Sequence, residues 1–470
     1  MKNIFVFACV LVLSVAIAGY AAEPGTQSTQ GGLGWYKGNT HTHTLWSDGT
    51  HLPEQAVEWY KSHGYQFLSL TDHDTLQSGQ QWREVSVQEK RFNVLTEARK
   101  SYGEDWVQTR PGIVQPAKGA KAPASTAPAE PGIEVRLRTL DELRSKFEQP
   151  GRFLLIPGEE FSDRAERLPL HLGALNIQTA LVPPLAITGR KAASRKMQQG
   201  IAEDIRIVRE YAATIKPPVL ITLNHPNFHF AQTAEDLAGA DVRFVEVMNG
   251  ARVNNWGDER HISVERMWDI ANSLRIARGA EPLWGVGSDD SHCFAGTDHG
   301  TPGLAWIVVR AEALGAESLF DAMGRGDFYF STGVTLADVQ YDRRKGSFTV
   351  EVQPEEGAQY TIQFIGTLED ADLSPMPATA PAATAPATAT TTATATSASK
   401  PAGRITRTYS DRIGQVLQEV TGTHATYTLT GRELFVRAVV RSSKPSAINP
   451  AYPQQAWCQP FGWENRVRNQ

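Results

Sequence analysis

The sequence predicts an α/β protein, with a largely parallel sheet or barrel over residues 35–333 and a small antiparallel β-rich domain over residues 334–470. Three observations predict it. Short apolar runs alternate with helical patterns up to Gly333; each run ends in polar, often titratable residues; and beyond Gly333 apolar and polar residues alternate with period two. In parallel α/β folds the polar tails gather at the C-terminal ends of the strands, where such folds build their sites. A chain of 470 residues has room for two to three domains at about 100–200 residues each. Its formal net charge of -5 carries no basic excess, so nucleic acid is not an expected partner.

In chain order, Lys2, an apolar run over residues 4–18 and small residues at Gly19, Ala21 and Ala22 match the three regions of a secretory signal peptide. The run is shorter than the roughly 20 residues that cross a bilayer. Residues 1–22 are therefore read as a cleaved signal, and the mature chain as exported, periplasmic or extracellular, with no membrane attachment. Cleavage leaves Cys293 and Cys458, too few for a disulfide framework but enough for one bridge in an oxidising compartment, which the sequence does not decide. Buried strands are expected in "YQFLSLTDHD", "RFLLIPGEEF", "PVLITLNHPN", "RFVEVMNG", "LWGVGSDDSH" and "LAWIVVR". Pro53 opens a helix that carries Ala56, Val57 and Tyr60 on one face and stops at Gly64, and further helices are expected over 202–215, 263–277 and 317–323. Residues 111–131, rich in Pro, Ala and Lys, and 377–402, nearly all Ala, Thr and Pro, read as disordered insertions. "KGSFTVEVQP", "AQYTIQFIGTL", "THATYTLTG" and "ELFVRAVVRSS" supply the strands of the C-terminal domain.

The chemistry sits at the strand ends. In an extended segment residues i and i+2 face the same way, so His41 and His43 of "NTHTHTLWSDG" share one face. "LTDHD" adds Asp72, His73 and Asp74; "PGEE" adds Glu159 and Glu160; "LPLHLGAL" adds His171; "NHPN" adds His225; and "GSDDSH" adds Asp289, Asp290 and His292. Six of the 12 histidines therefore fall in these segments, almost all beside carboxylates. Gathering such pairs at one end of a sheet is costly to desolvate without a cation. Nitrogen and oxygen ligands without thiolate fit zinc, manganese or iron, and argue against a structural cysteine-rich site.

"HTHTLWSDG", "LTDHD", "PGEEFS", "NHP", "EVMNG" and "SDDSH", in this order, resemble the motifs of the PHP (polymerase and histidinol phosphatase) superfamily over residues 35–333. The signal peptide, "AMGRGDFYFSTG" and the tail "AWCQPFGW" resemble the exported carbaryl-hydrolase-like (CehA/McbA) branch more closely still. The resemblance implies a distorted (β/α)7 barrel, followed here by the β-sandwich-like C-terminal domain. It also implies two or three divalent metal ions held by His41, His43, Asp48, His73, Glu160, His171, His225, Asp290 and His292. Glu159 competes with Glu160, and Asp289 with Asp290. Cations sharing a water lower its pKa from about 16 to near 7, giving hydroxide at neutral pH without a Ser or Cys nucleophile. Asp72 and Asp74 are candidates to orient an imidazole or move a proton, or else to cap a turn. Glu246 and Asn249 line the pocket or form a turn, and Arg164 and Arg252 are placed to meet a phosphate or carboxylate. The expectation is an exported metal-dependent hydrolase cleaving a phosphoester of a small molecule. A carboxylic ester, carbamate or amide is the close alternative, and a non-catalytic metal-containing binding protein is the rival of another class. An ester pocket should be apolar, with Trp46 and Phe161 as wall candidates. Composition says nothing of the oligomeric state.

Overall fold

The computed structural model describes residues 32–86, 90–113, 131–215, 218–251, 253–294, 300–376 and 403–467. The expected signal peptide, most of the 111–131 insertion, the 377–402 insertion and Arg252 lie outside the described residues. The strands of the first part are β1 (Gly34–Asn39), β2 (Phe67–Leu70), β3 (Gln81–Ser86), β4 (Thr109–Ile113), β5 (Pro131–Leu137), β6 (Leu154–Ala165), β7 (Leu168–Leu175), β8 (Leu220–Leu223), β9 (Phe244–Asn249), β10 (Trp284–Ser288), β11 (Trp306–Ala311) and β12 (Phe328–Ser331). After them come β13 (Leu336–Asp342), β14 (Ser347–Val352), β15 (Tyr360–Leu368), β16 (Gln415–Thr421), β17 (His424–Thr428), β18 (Glu433–Pro445) and β19 (Pro453–Cys458).

Seven strands lie side by side in the order β10-β9-β8-β7-β6-β2-β1. A parallel bridge between Thr42 and Ser291, just past the ends of β1 and β10, brings the two edges of this run together. His43 N–H donates to Ser291 O (2.8 Å) and Asp290 N–H to His41 O (3.0 Å) at the same seam. The result is a barrel-like sheet within a mixed α/β protein, closed where the histidine motifs sit. Strands β2, β9 and β10 are buried at every position because both faces of the sheet are covered there.

The sheet is less parallel than expected. The pairs β1–β2, β2–β6, β8–β9 and β9–β10 are parallel, but β7 runs antiparallel to both β6 and β8. The cause is a hairpin after Ala165, whose two-residue turn, Glu166 (φ 52) and Arg167 (φ 62), adopts the left-handed backbone that matches strand twist. Neither residue is the Gly or Asn that announces such a turn. The N–H groups of Glu166 and Arg167 donate to Arg195 O (2.8 Å) and Ala193 O (2.7 Å), which holds it.

Helices Pro53–Ser62, Met197–Ala212, Val264–Ala277 and Ala316–Arg325 cover the sheet where the sequence places them. Pro53 stands in the first turn, Ser263 caps the third by accepting from Arg266 N–H, and Gly326 (φ 80) ends the fourth in the left-handed region. Residues 81–147 hold structure that period and composition do not announce: a small sheet β3-β5-β4 with helices Lys90–Tyr102 and Leu140–Phe147. Its edge strand β4 contains Pro111 and Gly112, which mask a strand signal and are tolerated only at an edge.

Four of the C-terminal strands, β19, β18, β15 and β16, continue the barrel sheet. β11 pairs with β1 and β12 with β11, and β12 also pairs with β19, so the barrel sheet runs on through β18, β15 and β16. A second sheet, β13-β14-β17, packs Phe348 and Val350 against Phe364 and Val436. The junction is tied by Arg437, whose buried guanidinium donates to both Asp269 oxygens at 2.7 Å from helix Val264–Ala277. Cys293 and Cys458 are each free, and among the described residues no helix is long and apolar enough to cross a membrane.

One buried charge gives a stability prediction. Asp204, on helix Met197–Ala212, is fully buried, and burial with the nearby Asp163 pushes its pKa up to about 9. A carboxyl that binds its proton more tightly when folded loses stability as pH rises between about 4, where the unfolded group ionises, and that value. Asp204→Asn is therefore expected to match the parent near pH 4 and to be more stable by roughly 1–3 kcal/mol near pH 8, read by urea denaturation at both pH values. A variant less stable at pH 8 would contradict the burial of an uncharged carboxyl there.

Candidate metal centre

Asp72 fixes the loop that carries the first two histidines. Its carboxylate accepts from Thr44 N–H (2.7 Å) and O–H (2.9 Å), Ser47 N–H (3.1 Å) and O–H (2.7 Å), and the Gln77 amide (2.8 Å). Thr42 N–H donates to Thr71 Oγ1 (2.9 Å), and His41 N–H to Asn39 Oδ1 (3.0 Å). With the backbone pinned this way, His41 and His43 bring their Nε2 atoms to 3.1 Å of each other.

The two carboxylate ambiguities resolve by side-chain direction. Along β6 successive residues face opposite ways. Glu160 points among the histidines, whereas Glu159 faces away and accepts from Leu181 N–H (3.0 Å); burial raises its pKa to about 8. At the end of β10 the backbone of Asp290 takes φ 48 and turns its carboxylate inward, while Asp289 binds the amides that lead into β11. His225 (φ 24) and Asp74 (φ 51) also hold positive φ at strand ends, a backbone state that non-glycine residues adopt at a cost and that concentrates at working sites.

Glu160 is the hub. Its Oε1 lies 2.8 Å from His225 Nε2, 3.2 Å from His41 Nε2 and 3.2 Å from His171 Nδ1. Its Oε2 lies 3.0 Å from His73 Nδ1 and 3.4 Å from His43 Nε2. Asp290 Oδ1 lies 3.1 Å from His43 Nε2, 3.2 Å from His41 Nε2 and 3.6 Å from His292 Nδ1. Asp48, more exposed, reaches His292 Nε2 (3.4 Å), His43 Nδ1 (3.7 Å) and His73 Nε2 (3.7 Å). All nine residues singled out as ligands thus fall in one cluster. They form four overlapping groups whose donor atoms lie within 4.8 Å of one another: His41/His43/Glu160, His41/His225/Asp290, His73/Glu160/His171 and His43/Asp48/His73/His292.

The donor set fits divalent cations. Glu160 Oε2 and Asp290 Oδ1 are buried acceptors without a hydrogen-bond partner, a costly state for an oxygen that no cation satisfies. Burial disfavours every charge here, yet the imidazoles hold Glu160 and Asp290 well below the usual carboxylate range. In return the carboxylates overcome burial to raise the pKa of His41 and His225, and that of His43 to about 10. Burial prevails at His73, which falls to about 4. The carboxylates thus make the metal-free cluster bind protons at His41, His43 and His225 more tightly than free imidazole does, and cations must displace them. Metal loading at pH 7 is accordingly expected to release roughly one to three protons per chain, measured by titration calorimetry in buffers of different protonation enthalpy. Loading without proton release would mean that the cation sits elsewhere.

Two partners of the cluster, Asn224 of "NHP" and Ser162 of "PGEEFS", lie within the motifs but are not among the expected site residues. Asn224 donates to Glu160 Oε1 (3.0 Å), and Ser162 Oγ lies 2.6 Å from His73 Nδ1, two residues past Glu160 on the same face of β6. Glu246 does line the centre, with Oε1 3.0 Å from His41 Nδ1 and a hydrogen bond from Ser288, and Asn249 donates to Glu246 (2.8 Å) and Asp290 (3.1 Å). Asp74 is exposed and takes Ser162 N–H at 2.7 Å. Arg164 is exposed on the β6–β7 hairpin, its guanidinium turned to Arg167 O (3.4 Å). Trp46 and Phe161 are not pocket walls: both are buried, Trp46 donating to Arg138 O (3.1 Å) and Phe161 lying in the main core. The aromatic ring nearest the histidines is instead Phe228, 5.2 Å from His225 between ring centres. The centre opens on one side, where Asp48, His73 and His292 are 57%, 27% and 29% exposed.

No model of a known protein family and no curated protein matches the sequence. Among solved structures, the chain is similar to a two-domain protein from Bacteroides vulgatus containing a predicted PHP-like metal-dependent phosphoesterase (13% identity, 94% of this chain and 100% of that one, TM-score 0.36). It is also similar to a protein from Bifidobacterium adolescentis provisionally named a metal-dependent phosphoesterase (15% identity, 54% and 87% of the chains, TM-score 0.26). A third is an amidohydrolase from Chromobacterium violaceum with bound sulfate and no metal (14% identity, 56% and 89%, TM-score 0.26).

Proposed function

We propose that the chain is an exported, PHP-type metal-dependent hydrolase that cleaves a phosphoester of a small molecule, with His41, His43, Asp48, His73, Glu160, His171, His225, Asp290 and His292 holding two or three zinc, manganese or iron ions. The supporting observation is the pair of unpartnered buried oxygens, Glu160 Oε2 and Asp290 Oδ1, set among inward-facing imidazole nitrogens. Bound there, the cations would supply Lewis acidity and an activated water. The chain's own groups do the rest. Glu246 orients His41 through Nδ1, leaving Nε2 towards Glu160 and Asp290, and Ser162 meets His73 at Nδ1 beside Glu160, leaving Nε2 towards Asp48. Asp72, saturated by five hydrogen bonds, positions the His-x-His loop and has no capacity left to move a proton. Asp74, at the rim, is the carboxylate free to take a proton.

A polar mouth built from His73, His292 and Asp48 suits a charged phosphoester, and the loss of Trp46 and Phe161 to the core weakens the apolar-ester reading. Phe228 is the observation that favours a carboxylic ester, carbamate or amide, because it gives an acyl group one apolar surface. Elemental analysis of the purified chain, with hydrolysis of an aryl phosphate and an aryl ester measured side by side, tests both. Two or three metals per chain and phosphatase activity lost in His41→Ala are expected. Esterase activity alone would move the assignment to the second reading, and no bound metal after reconstitution would end both.

A further inference from the structure

A second cavity, of about 490 Å³, lies at the opposite end of the barrel strands from the metal cluster. It is walled by residues at the starts of β1, β9 and β10 (Trp35, Arg243, Trp284) and by the C-terminal strands and tail (Tyr341, Arg343, Trp463). We infer that this cavity binds a small oxyanion, a phosphate or carboxylate group carried by a ligand distinct from the hydrolysed substrate.

Three features point to an anion. First, four arginines line the space: Arg243, Arg310, Arg325 and Arg343. Second, two of them are held in place by indole faces, Arg243 over Trp284 (5.3 Å to the centroid) and Arg310 over Trp35 (5.4 Å). Stacked guanidinium groups are preorganised, so they lose little freedom when a ligand docks, and the rings that hold them are no longer platforms for an aromatic ligand. Third, the unmatched buried polar atoms of the wall are both donors, Arg243 Nε and Trp463 Nε1. Each carboxylate nearby is already engaged: Glu281 by Arg243, Asp327 by Arg325 (2.9 Å), Asp338 by Arg310 (3.1 Å) and Glu464 by Arg343 (2.7 Å). A guanidinium has five N–H donors, and these contacts use only part of that capacity. A cation would find each nearby carboxylate already taken by an arginine, and an apolar molecule would leave the spare donors unmet; an oxyanion supplies acceptors for them.

The test is calorimetric titration of inorganic phosphate, at constant ionic strength, into the full-length chain and into His41→Ala, which weakens any binding of phosphate at the metal cluster. Saturable binding at one site per chain that survives His41→Ala is expected. Adding Arg343→Gln or Trp463→Phe to His41→Ala should weaken it about tenfold or more, as for loss of one charge-assisted hydrogen bond. Arg343 has a side chain 60% exposed, and Trp463→Phe keeps an aromatic ring while removing the N–H, so circular dichroism should show both folded. Citrate binding in place of phosphate would assign a carboxylate. Failure of both probes to bind His41→Ala, or equal binding by the Arg343 and Trp463 variants, would overturn the inference, and neither result bears on hydrolysis at the metal cluster.

Discussion

Glu160→Gln is expected to abolish hydrolysis, by about 10³-fold or more, and to strip the cluster of most of its metal while leaving the chain folded. The reason is geometric. One carboxylate stands within 3.4 Å of a nitrogen of His41, His43, His73, His171 and His225, so it takes part in two of the overlapping ligand groups. Glutamine keeps the volume but removes the charge and replaces an acceptor with an amide donor, which no cation accepts and which either faces the imidazoles or collides with the Asn224 amide. Glu159→Gln is the matched control. It changes the neighbouring residue on the opposite face of β6, whose partner is the amide of Leu181, and should keep the metal content. Metal analysis and kcat on both variants separate the two; a Glu160→Gln enzyme with full metal and near-parent kcat would remove Glu160 from the centre.

The two carboxylate pairs also show what was legible in the sequence. His73, His225 and His292 were legible because each follows a short, largely buried apolar strand, and His41 and His43 because two imidazoles stand two residues apart in an extended segment. Which member of "EE" or "DD" faces inward depends on register and on one backbone angle, and adjacent carboxylates give the same sequence signal on either face. The β6–β7 hairpin was hidden for a related reason: Glu166 and Arg167 adopt a turn that composition does not mark, so "LPLHLGAL" read as an apolar stretch rather than as an antiparallel strand carrying His171 inward. Trp46 and Phe161 neighbour motifs and so read as pocket residues, yet Phe161 follows Glu160 on β6 and points to the opposite face, and Trp46 stands in the turn after His43 with its ring in a core cluster. Asn224, Ser162 and Ser288 are ordinary polar residues whose roles come only from what the fold places next to them.

Asp289→Ala is expected to cost stability rather than chemistry, about 3–5 kcal/mol, more than Asp290→Ala one residue away. Asp289 is fully buried and accepts from five groups: the amides of Gly303 (2.9 Å), Leu304 (2.7 Å) and Ala305 (2.9 Å), the Asn39 side chain (2.7 Å) and the Tyr60 hydroxyl (2.8 Å). Alanine would leave three backbone donors unpaired at the end of the loop into β11, that of Ala305 fully buried and the other two half-buried, and each buried one costs about 1–3 kcal/mol before relaxation. The loss should spread to the metal centre by one route, since Asn39, held by Asp289, is the residue that accepts His41 N–H. Asp290→Ala should do the reverse: metal content and activity fall with the loss of its carboxylate, while the metal-free chain loses less stability than in Asp289→Ala, because Asp290 pairs with the His41 and His43 imidazoles and accepts from the Asn249 amide rather than from a set of backbone N–H groups. Urea denaturation of the metal-free proteins, set beside metal content, reads the two effects separately. If Asp290→Ala proved the more destabilising of the two without metal, the inward carboxylate would be supporting the strand end and Asp289 would be the better candidate for the cation.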